Sequence, residues 1–354
     1  MGQGNATKTG ITIGLDLGDR YTHVCVLDEA GAVLERQRVL TRPASLRRLL
    51  ASYPPSRVVL EVGAHSPWVS RLVSEVGHEA VVANPRRLAM IYANESKNDS
   101  VDAEALARVG RLDAKLLRPI QHRSAESQAD RTLLRSRAVL VRSRTALVAH
   151  VRSSVKSIGA RLPGGSAAAF GRRMQREIPD ELRDALAPLL EVIQGLTERI
   201  RAYDRTIRQR CQTSHSETRQ LTQVTGVGDL TALAFVLCLE DPRRFQKSRV
   251  VGAYLGLRAR QRQSGERDPQ LGITKTGDME LRRLLVGSAH YILGPFGPDS
   301  DLRRFGLRLI ARGGAGAKQR AVVAVARKLA VLLHRLWITG EVYEPLRQAR
   351  AAAA

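Results

Sequence analysis

An α/β domain followed by a mostly α-helical remainder is the fold class this sequence predicts, and three observations predict it. Over residues 11–120, short apolar runs with period-two alternation interleave with amphipathic segments. From about 123 to 215 the strand signal stops, and two long charged segments repeat Leu, Val and Ile at three- and four-residue steps. From 216 onward the chain reads helical again around a Gly- and Arg-rich loop region between 252 and 278. The 354 residues suit two or three domains at roughly 100–200 residues each. The expected division is an α/β domain over 8–122, a helical coiled-coil linker and oligomerisation region over 123–215, a helical C-terminal domain over 216–345 and a flexible tail over 346–354.

The first segment justifies itself element by element. "ITIGLDLG" is an apolar strand, "YTHVCVLDEAGAVLERQRVL" a hairpin turning at Asp28-Glu29-Ala30-Gly31, and "SLRRLLASY" a short helix. A strand "RVVLEV", a helix "SPWVSRLVSEVG", a strand "EAVVAN" and further helix follow. Three antiparallel strands and then alternating helices and strands is the order of a ribonuclease H-like domain. In the middle segment, "SQADRTLLRSRAVLVRSRTALVAHVRSSVKSIG" and "PDELRDALAPLLEVIQGLTERIRAYDRTIRQRCQ" flank "RLPGGSAAA" and read as an antiparallel helical hairpin or coiled coil.

Charge limits the partners. With 57 Lys and Arg against 34 Asp and Glu, a formal net charge of +23, the chain should attract phosphate backbones or an anionic membrane surface. The most apolar run, "AVVAVARKLAVLLHRLW", is broken by Arg327, Lys328 and His334, which argues against a membrane span. "MGQGNATKTG" lacks the apolar stretch of a secretory signal, so the cytoplasm is the expected compartment, with nucleoid association during activity. Cys25, Cys211 and Cys238 form no C-x-x-C pair and read as packing residues.

Within this basic chain, four carboxylates ask for an explanation. Strand alternation sends Ile11, Ile13 and Leu15 to one face and Thr12, Gly14 and Asp16 to the other. Glu61 lies in an apolar strand, where an acid is costly unless paired or metal-bound. Asp99 and Asp102 share a helix face by their i, i+3 spacing. In a ribonuclease H-like sheet, strands one and four end side by side under a later helix, so the four acids can converge there. Such an oxygen cluster suits one or two Mg²⁺ ions in phosphodiester chemistry. Asp99 as an N-cap with Asp102 favoured by the helix dipole, and Asp16 as a turn former before Gly18, are the plain alternatives.

The runs "GLDLG", "LEVG", "KNDSVDAEALA", "TGVGDLTA", "FQKSRVVGAYLGLRARQRQSG" and "GITKTGDMELRRLLV" together resemble the DEDD-type insertion-sequence transposases, the bridge-RNA-guided serine recombinases of mobile elements. The resemblance spans nearly the whole chain. It implies a RuvC-like N-terminal domain, a coiled-coil connection and a C-terminal transposase domain, with the acidic tetrad on Asp16, Glu61, Asp99 and Asp102. Two departures are small: Lys97-Asn98 introduces the aspartate pair where Lys-Thr is more usual, and Glu61 precedes Val-Gly-Ala where Ala-Thr-Gly is common in relatives. Neither removes a carboxylate.

The resemblance also implies a nucleophilic serine, which "RQRQSG" puts at Ser264. Read without it, a serine beside glycine in a polar loop is ordinarily just loop, and no histidine neighbours it as a base. Arg258, Arg260, Arg262 and Arg267 crowd the loop and can hold a scissile phosphate or simply track a backbone. "VTGVGDLTA" resembles a helix-hairpin-helix turn, in which Gly226 and Gly228 let backbone N–H groups approach a phosphate; a plain tight turn explains it equally. Lys275, Arg282 and Arg283 read as a backbone clamp or as a solvated helix face. Aromatic residues make up only 4% of the chain, so stacking on bases is not the expected mode. As a whole, the resemblance implies a recombinase acting on donor and target double-stranded DNA. It implies a structured non-coding guide RNA and Mg²⁺ as cofactors, a phosphoserine intermediate, and a homo-oligomer, dimer to tetramer, with composite sites. A metal-dependent nuclease or junction resolvase without a covalent intermediate, and a non-catalytic nucleic-acid-binding derivative, are the alternatives.

Overall fold

The computed structural model describes residues 10–84, 99–261 and 271–347, except the side chains of residues 99 and 100. The chain divides into two compact units, residues 1–124 and 125–354.

The first unit is built on β1 (Thr12–Leu17), β2 (Tyr21–Leu27), β3 (Val33–Leu40), β4 (Arg57–Glu61) and β5 (Glu79–Ala83), in the sheet order β3-β2-β1-β4-β5. The three leading strands are antiparallel, while β1, β4 and β5 run parallel. The β2–β3 turn is the expected one: Asp28 Oδ1 accepts from the Ala32 N–H at 2.8 Å, and Gly31 takes a positive φ of 85°.

Alternation decides what covers each face. Ile13, Leu15, Val58 and Leu60 pack with Leu46 and Leu50 of α1 (Pro43–Ala51) and Val69 and Val73 of α2 (Ser66–Glu75). The opposite face buries Cys25, Leu27, Val59 and Val81 under Ala103, Leu106 and Ala107 of α3 (Asp99–Leu112). Helix α3 can approach this closely because β1 carries a glycine where it crosses. A Cβ on Gly14 would stand 2.0 Å from the Ala103 carbonyl oxygen and 2.8 Å from the Ala107 nitrogen.

The second unit is helical among its described residues. Helices α4 (Ala125–Ser157) and α6 (Arg183–Thr213) pack antiparallel, since Arg137 Nε donates to Asp204 Oδ1 at 2.5 Å while Val151 and Val155 meet Leu186 and Leu190. A short helix α5 (Ala167–Met174) caps the far end through Phe170 and Met174, in a stretch that carries no clear periodic signal. The other end of the helix pair does not stand apart as a linker: Leu134, Ile207 and Cys211 join one core with the remaining helices. Those are α7 (Thr218–Thr222), α8 (Asp229–Leu239), α9 (Arg249–Tyr254), α10 (Met279–Leu293), α11 (Asp301–Ala311) and α12 (Ala317–Thr339). Helix α8 is apolar all round and buried from Thr231 to Leu239, which makes it the centre of that core. Among the described residues, no helix is long and apolar enough to cross a membrane.

Gly14→Ala tests the β1–α3 crossing. The methyl would collide with main-chain atoms that have no rotamer to move, so α3 must lift, at a cost of about 1–3 kcal/mol. Urea unfolding should show the loss; a midpoint equal to that of the wild type would refute the close crossing.

Candidate active site

The direction of α3 assembles the acidic end of the sheet. Near its C-terminus, the Gly110 carbonyl accepts from Arg57 Nη1 at 3.0 Å, at the start of β4. One and two turns earlier, Ala107 and Ala103 cross Gly14. The helix therefore runs antiparallel to β1 and β4 and carries its N-terminal turn toward their C-terminal ends. Asp16 and Glu61 stand at those ends, each one step beyond the paired Leu15 and Leu60. Going from Ala103 back to Asp99 covers about 6 Å of helix, and going from Gly14 to Asp16 covers about 7 Å of strand. The two paths run the same way, so the backbone of Asp99 and Asp102 reaches the strand ends that bear the other two acids.

Asp16, Glu61 and Asp102 are all half-buried, and the Asp99 side chain lies outside the described residues. Among the described residues, no group of three or more His, Cys, Asp and Glu is gathered closely enough to hold a metal ion. The donor set that the backbone brings together is nonetheless all carboxylate oxygen, the chemistry that Mg²⁺ takes.

Neighbouring loops are fixed by their own bonds. Behind Glu61, Ser66 Oγ donates to the Gly63 carbonyl at 2.9 Å, and His122 Nε2 lies 2.8 Å from the same hydroxyl. Burial pushes the His122 imidazole below its ordinary value, and Arg71 and Arg123 add to the effect. Trp68 Nε1 donates to His65 Nδ1 at 3.1 Å, which leaves His65 Nε2 facing Asp19 at 3.6 Å across the loops that follow β4 and β1.

Helix α3 is tied to the sheet edge by Glu104, a residue the sequence reading did not single out. Arg36 Nη2 of β3 donates to it at 2.5 Å and Arg108 Nε at 2.7 Å. The Arg36 bond first, and then the Arg108 bond, hold the Glu104 carboxyl below its usual value.

The serine region presents a different construction. The nine residues 262–270 lie outside the described residues, and with them Arg262, Ser264 and Arg267. The two arms that lead into and out of them are described. The Arg260 N–H donates to the Gly272 carbonyl at 3.0 Å and the Thr274 N–H to the Arg258 carbonyl at 2.9 Å, around an antiparallel bridge of Ala259 with Ile273. At the base, Gly256 and Gly277 have positive φ, and a Cβ on either would stand 2.2 Å from a carbonyl oxygen of the opposite arm. Arg258 is exposed and donates to Gln261 Oε1 at 2.5 Å; Arg260 Nε donates to the Ile273 carbonyl at 3.3 Å.

Arg282 departs from its expected role in a nucleic-acid clamp. Its side chain is buried, and Nη1 donates to the Leu255 carbonyl at 3.0 Å and the Thr276 carbonyl at 2.7 Å, one on each arm. It closes the base of the hairpin from inside, whereas Arg283 is exposed and pairs with Glu280 at 2.5 Å. Asp278 caps α10 by accepting from the Leu281 N–H at 2.9 Å and receives Arg131 Nη2 of α4 at 2.5 Å. The "LRR" pair gives no sign of which arginine turns inward. Lys275 sits on the second arm with a positive φ of 54°. With Ala259 and Ile273 it lines one wall of a cleft of about 1350 Å³, and Arg312, Arg320, Arg327 and Lys328 line another part of it. Gly226 and Gly228 lie between α7 and α8, with Gly228 at the N-cap of α8.

Two family models match stretches of this chain. A transposase family model, that of the DEDD type of IS110, matches residues 13–159, and the model described as transposase IS116/IS110/IS902 family matches residues 218–299. The transposase for insertion sequence element IS1328 of Yersinia enterocolitica is 30% identical over 286 residues, covering 78% of this chain and 82% of that protein. The chain belongs to the IS116/IS110/IS902 family of transposases. This transposase is also 28% identical over 344 residues to the transposase for insertion sequence element IS1111A of Coxiella burnetii, covering 94% of this chain and 90% of that one. A probable family 20 transposase of Pseudomonas aeruginosa is 29% identical over 341 residues, covering 94% of this chain and 98% of that one.

Two outcomes follow from the geometry. Glu104→Gln should lower the stability of the first unit at neutral pH by less than about 1 kcal/mol, as expected of a largely exposed pair. Because the folded-state pKa is depressed, that contribution is present above the ordinary value of 4.5 and is lost as pH falls through the lower folded value. Variant and wild type should therefore converge in acid, and a constant gap down to pH 3 would contradict this. Arg282→Met should leave the buried Leu255 carbonyl and the half-buried Thr276 carbonyl without their donor, destabilising the second unit by about 1–3 kcal/mol; thermal melting of the full chain measures it.

Proposed function

We propose that this transposase cuts and rejoins donor and target DNA through a covalent phosphoserine at Ser264, guided by a structured non-coding RNA and assisted by Mg²⁺ at Asp16, Glu61, Asp99 and Asp102. The observation that carries the reading is the antiparallel run of α3, which takes the "NDSVD" turn to the strand ends bearing Asp16 and Glu61. Support for the serine comes from the clamped two-arm hairpin on which residues 262–270 are strung, beside a cleft lined by basic residues.

In this reading the Ser264 hydroxyl attacks the scissile phosphorus and gives up its proton, the Oγ–P bond forms, and the deoxyribose oxygen leaves as a hydroxyl. A free strand hydroxyl then attacks the phosphoserine and restores both a phosphodiester and the serine. One ester replaces another at each step, so no external energy source is needed. The four carboxylates would hold one or two Mg²⁺ ions, which supply positive charge against the phosphate when bound. Arg258, Arg260, Arg262 and Arg267 orient the phosphate by charge-assisted hydrogen bonds. Composite sites, in which the acidic unit of one chain serves the serine of another within a dimer or tetramer, complete the reading.

The deciding experiment compares wild type, Ser264→Ala and Asp16→Ala on a denaturing gel, with Mg²⁺, the element's flanking non-coding RNA, and labelled donor and target DNA. A labelled protein–DNA adduct that disappears with Ser264→Ala is the expected result. Strand cuts of equal yield in wild type and Ser264→Ala, with no adduct in either, would overturn it in favour of cleavage by activated water. Binding without strand breakage under any metal condition would leave only a nucleic-acid-binding role.

A further inference from the structure

The loop that follows β4 holds one side chain that the acidic tetrad does not account for. His65 stands at the N-cap of α2, four residues beyond Glu61. Four residues of extended chain reach at most about 14 Å, and here the path is shorter still. Ser66 Oγ accepts from the Gly63 N–H at 3.0 Å and donates to the Gly63 carbonyl at 2.9 Å, which folds the loop into a turn. Asp19 lies three residues beyond Asp16, in a turn closed by the Gly18 N–H on the Tyr21 carbonyl at 3.0 Å. Strands β1 and β4 are parallel neighbours, so both loops leave the sheet at the same end. The approach of His65 Nε2 to Asp19 Oδ1 at 3.6 Å sets the imidazole between the loops that rise from the strand ends bearing Asp16 and Glu61.

The indole of Trp68 decides where the ring proton is. An indole N–H donates and never accepts, so its 3.1 Å bond requires a bare lone pair on His65 Nδ1. The proton of the ring is then on Nε2. Trp68 is itself held by packing against the first core, and its ring meets the imidazole edge-on with centroids 6.1 Å apart. Asp19, which Nε2 faces, is fully exposed and stands beyond hydrogen-bond distance. His65 is thus an oriented N–H donor, 29% exposed, without an acceptor among the described residues.

We propose that His65 Nε2 donates a hydrogen bond to a non-bridging oxygen of the phosphodiester held at the acidic end, and that Trp68 is the positioning residue that keeps the proton on that nitrogen. The inference rests on the proposed phosphodiester chemistry at Asp16, Glu61, Asp99 and Asp102 and adds a contact to the substrate itself. Three other roles for the histidine conflict with the Trp68 bond. A general base needs a bare Nε2, and with it a proton on Nδ1, where the indole N–H would confront it. A general acid needs protons on both nitrogens and meets the same obstacle. A metal ligand needs the Nε2 lone pair, which the proton occupies. What remains is a neutral donor, the kind of group that stabilises charge on a phosphate oxygen without transferring a proton.

The test is single-turnover strand exchange by the full chain across a range of pH, with Mg²⁺, the element's flanking non-coding RNA, and labelled donor and target DNA. His65 makes no side-chain cap on α2, so replacing it leaves the helix start intact. His65→Ala should slow the chemical step about tenfold or more, as loss of an aligned donor does. His65→Gln returns an N–H donor and should recover most of the rate, with the pH profile of the wild type. Trp68→Phe keeps the ring bulk and removes the indole N–H. It should slow the reaction severalfold in the wild-type background and not at all in the His65→Gln background, a coupling that a merely structural tryptophan would not show. A His65→Ala rate equal to that of the wild type would overturn the proposal. So would a His65→Gln variant as slow as His65→Ala with a limb missing from its pH–rate profile, the mark of a histidine that carries a proton. The serine reading fails separately: a wild type that cuts without an adduct removes Ser264 from the chemistry and leaves the His65 comparison intact, because both routes act on a phosphate at the acidic end.

Discussion

The crossing of α3 over β1 is the contact on which the acidic end depends. Main chain meets main chain there, at Gly14 against Ala103, with no side chain between that could adjust. Close-packed interiors transmit such a constraint along rigid elements. A helix held at one point by backbone, at a second by the Gly110 carbonyl on Arg57 and at a third by Glu104 on Arg36 has little freedom to slide or roll. The placement of its N-terminal acids follows from fixing its middle and its far end.

The C-terminal unit applies a similar rule with different parts. Among the described residues, the two arms leading into and out of 262–270 share one isolated bridge, too little pairing to hold a ribbon in place. Their base is fixed by two left-handed glycines that let the arms touch and by the Arg282 guanidinium bonded to a carbonyl on each arm. Burying a cation is costly unless oxygen atoms satisfy it, and two carbonyls do so for Arg282. Charge that composition alone assigns to the nucleic acid is here part of the fold.

Much of this was legible in the sequence, and the limits have physical causes. Strand alternation assigned Asp16 to the face opposite Ile13 and Leu15, and that face is the one α3 covers. The hairpin at Asp28–Gly31 followed from turn chemistry, and the adjacency of strands one and four from the order of elements. Arg282 was misassigned because adjacent arginines on a helix differ only in which face is buried, and burial is set by elements far away in sequence. Glu104 was missed because a carboxylate four residues before an arginine is an ordinary helix surface pair; its decisive partner, Arg36, is 68 residues away. The segment from 123 to 215 looked separable because its charge and periodicity are continuous. Yet Leu134, Ile207 and Cys211 complete a core whose other members lie beyond residue 215.

Under the proposed chemistry these devices share one purpose. Exchanging one phosphodiester for a phosphoserine and back is close to isoenergetic, so the protein has no reaction energy to draw on and must lower barriers by position and charge. Position is what a main-chain crossing and a carbonyl clamp supply, since neither depends on a flexible side chain exposed to solvent. Charge is supplied from the surplus of +23, but only by arginines left outside the fold. The opposition between a basic chain and an acidic sheet end is then a division of labour: cations track the phosphates over a wide surface, and carboxylates gather at one point where a divalent ion would be needed. Spreading the acids through the surface would weaken the first function without improving the second, because screened carboxylates about a Debye length apart, near 10 Å in ordinary salt, neither share an ion nor repel strongly.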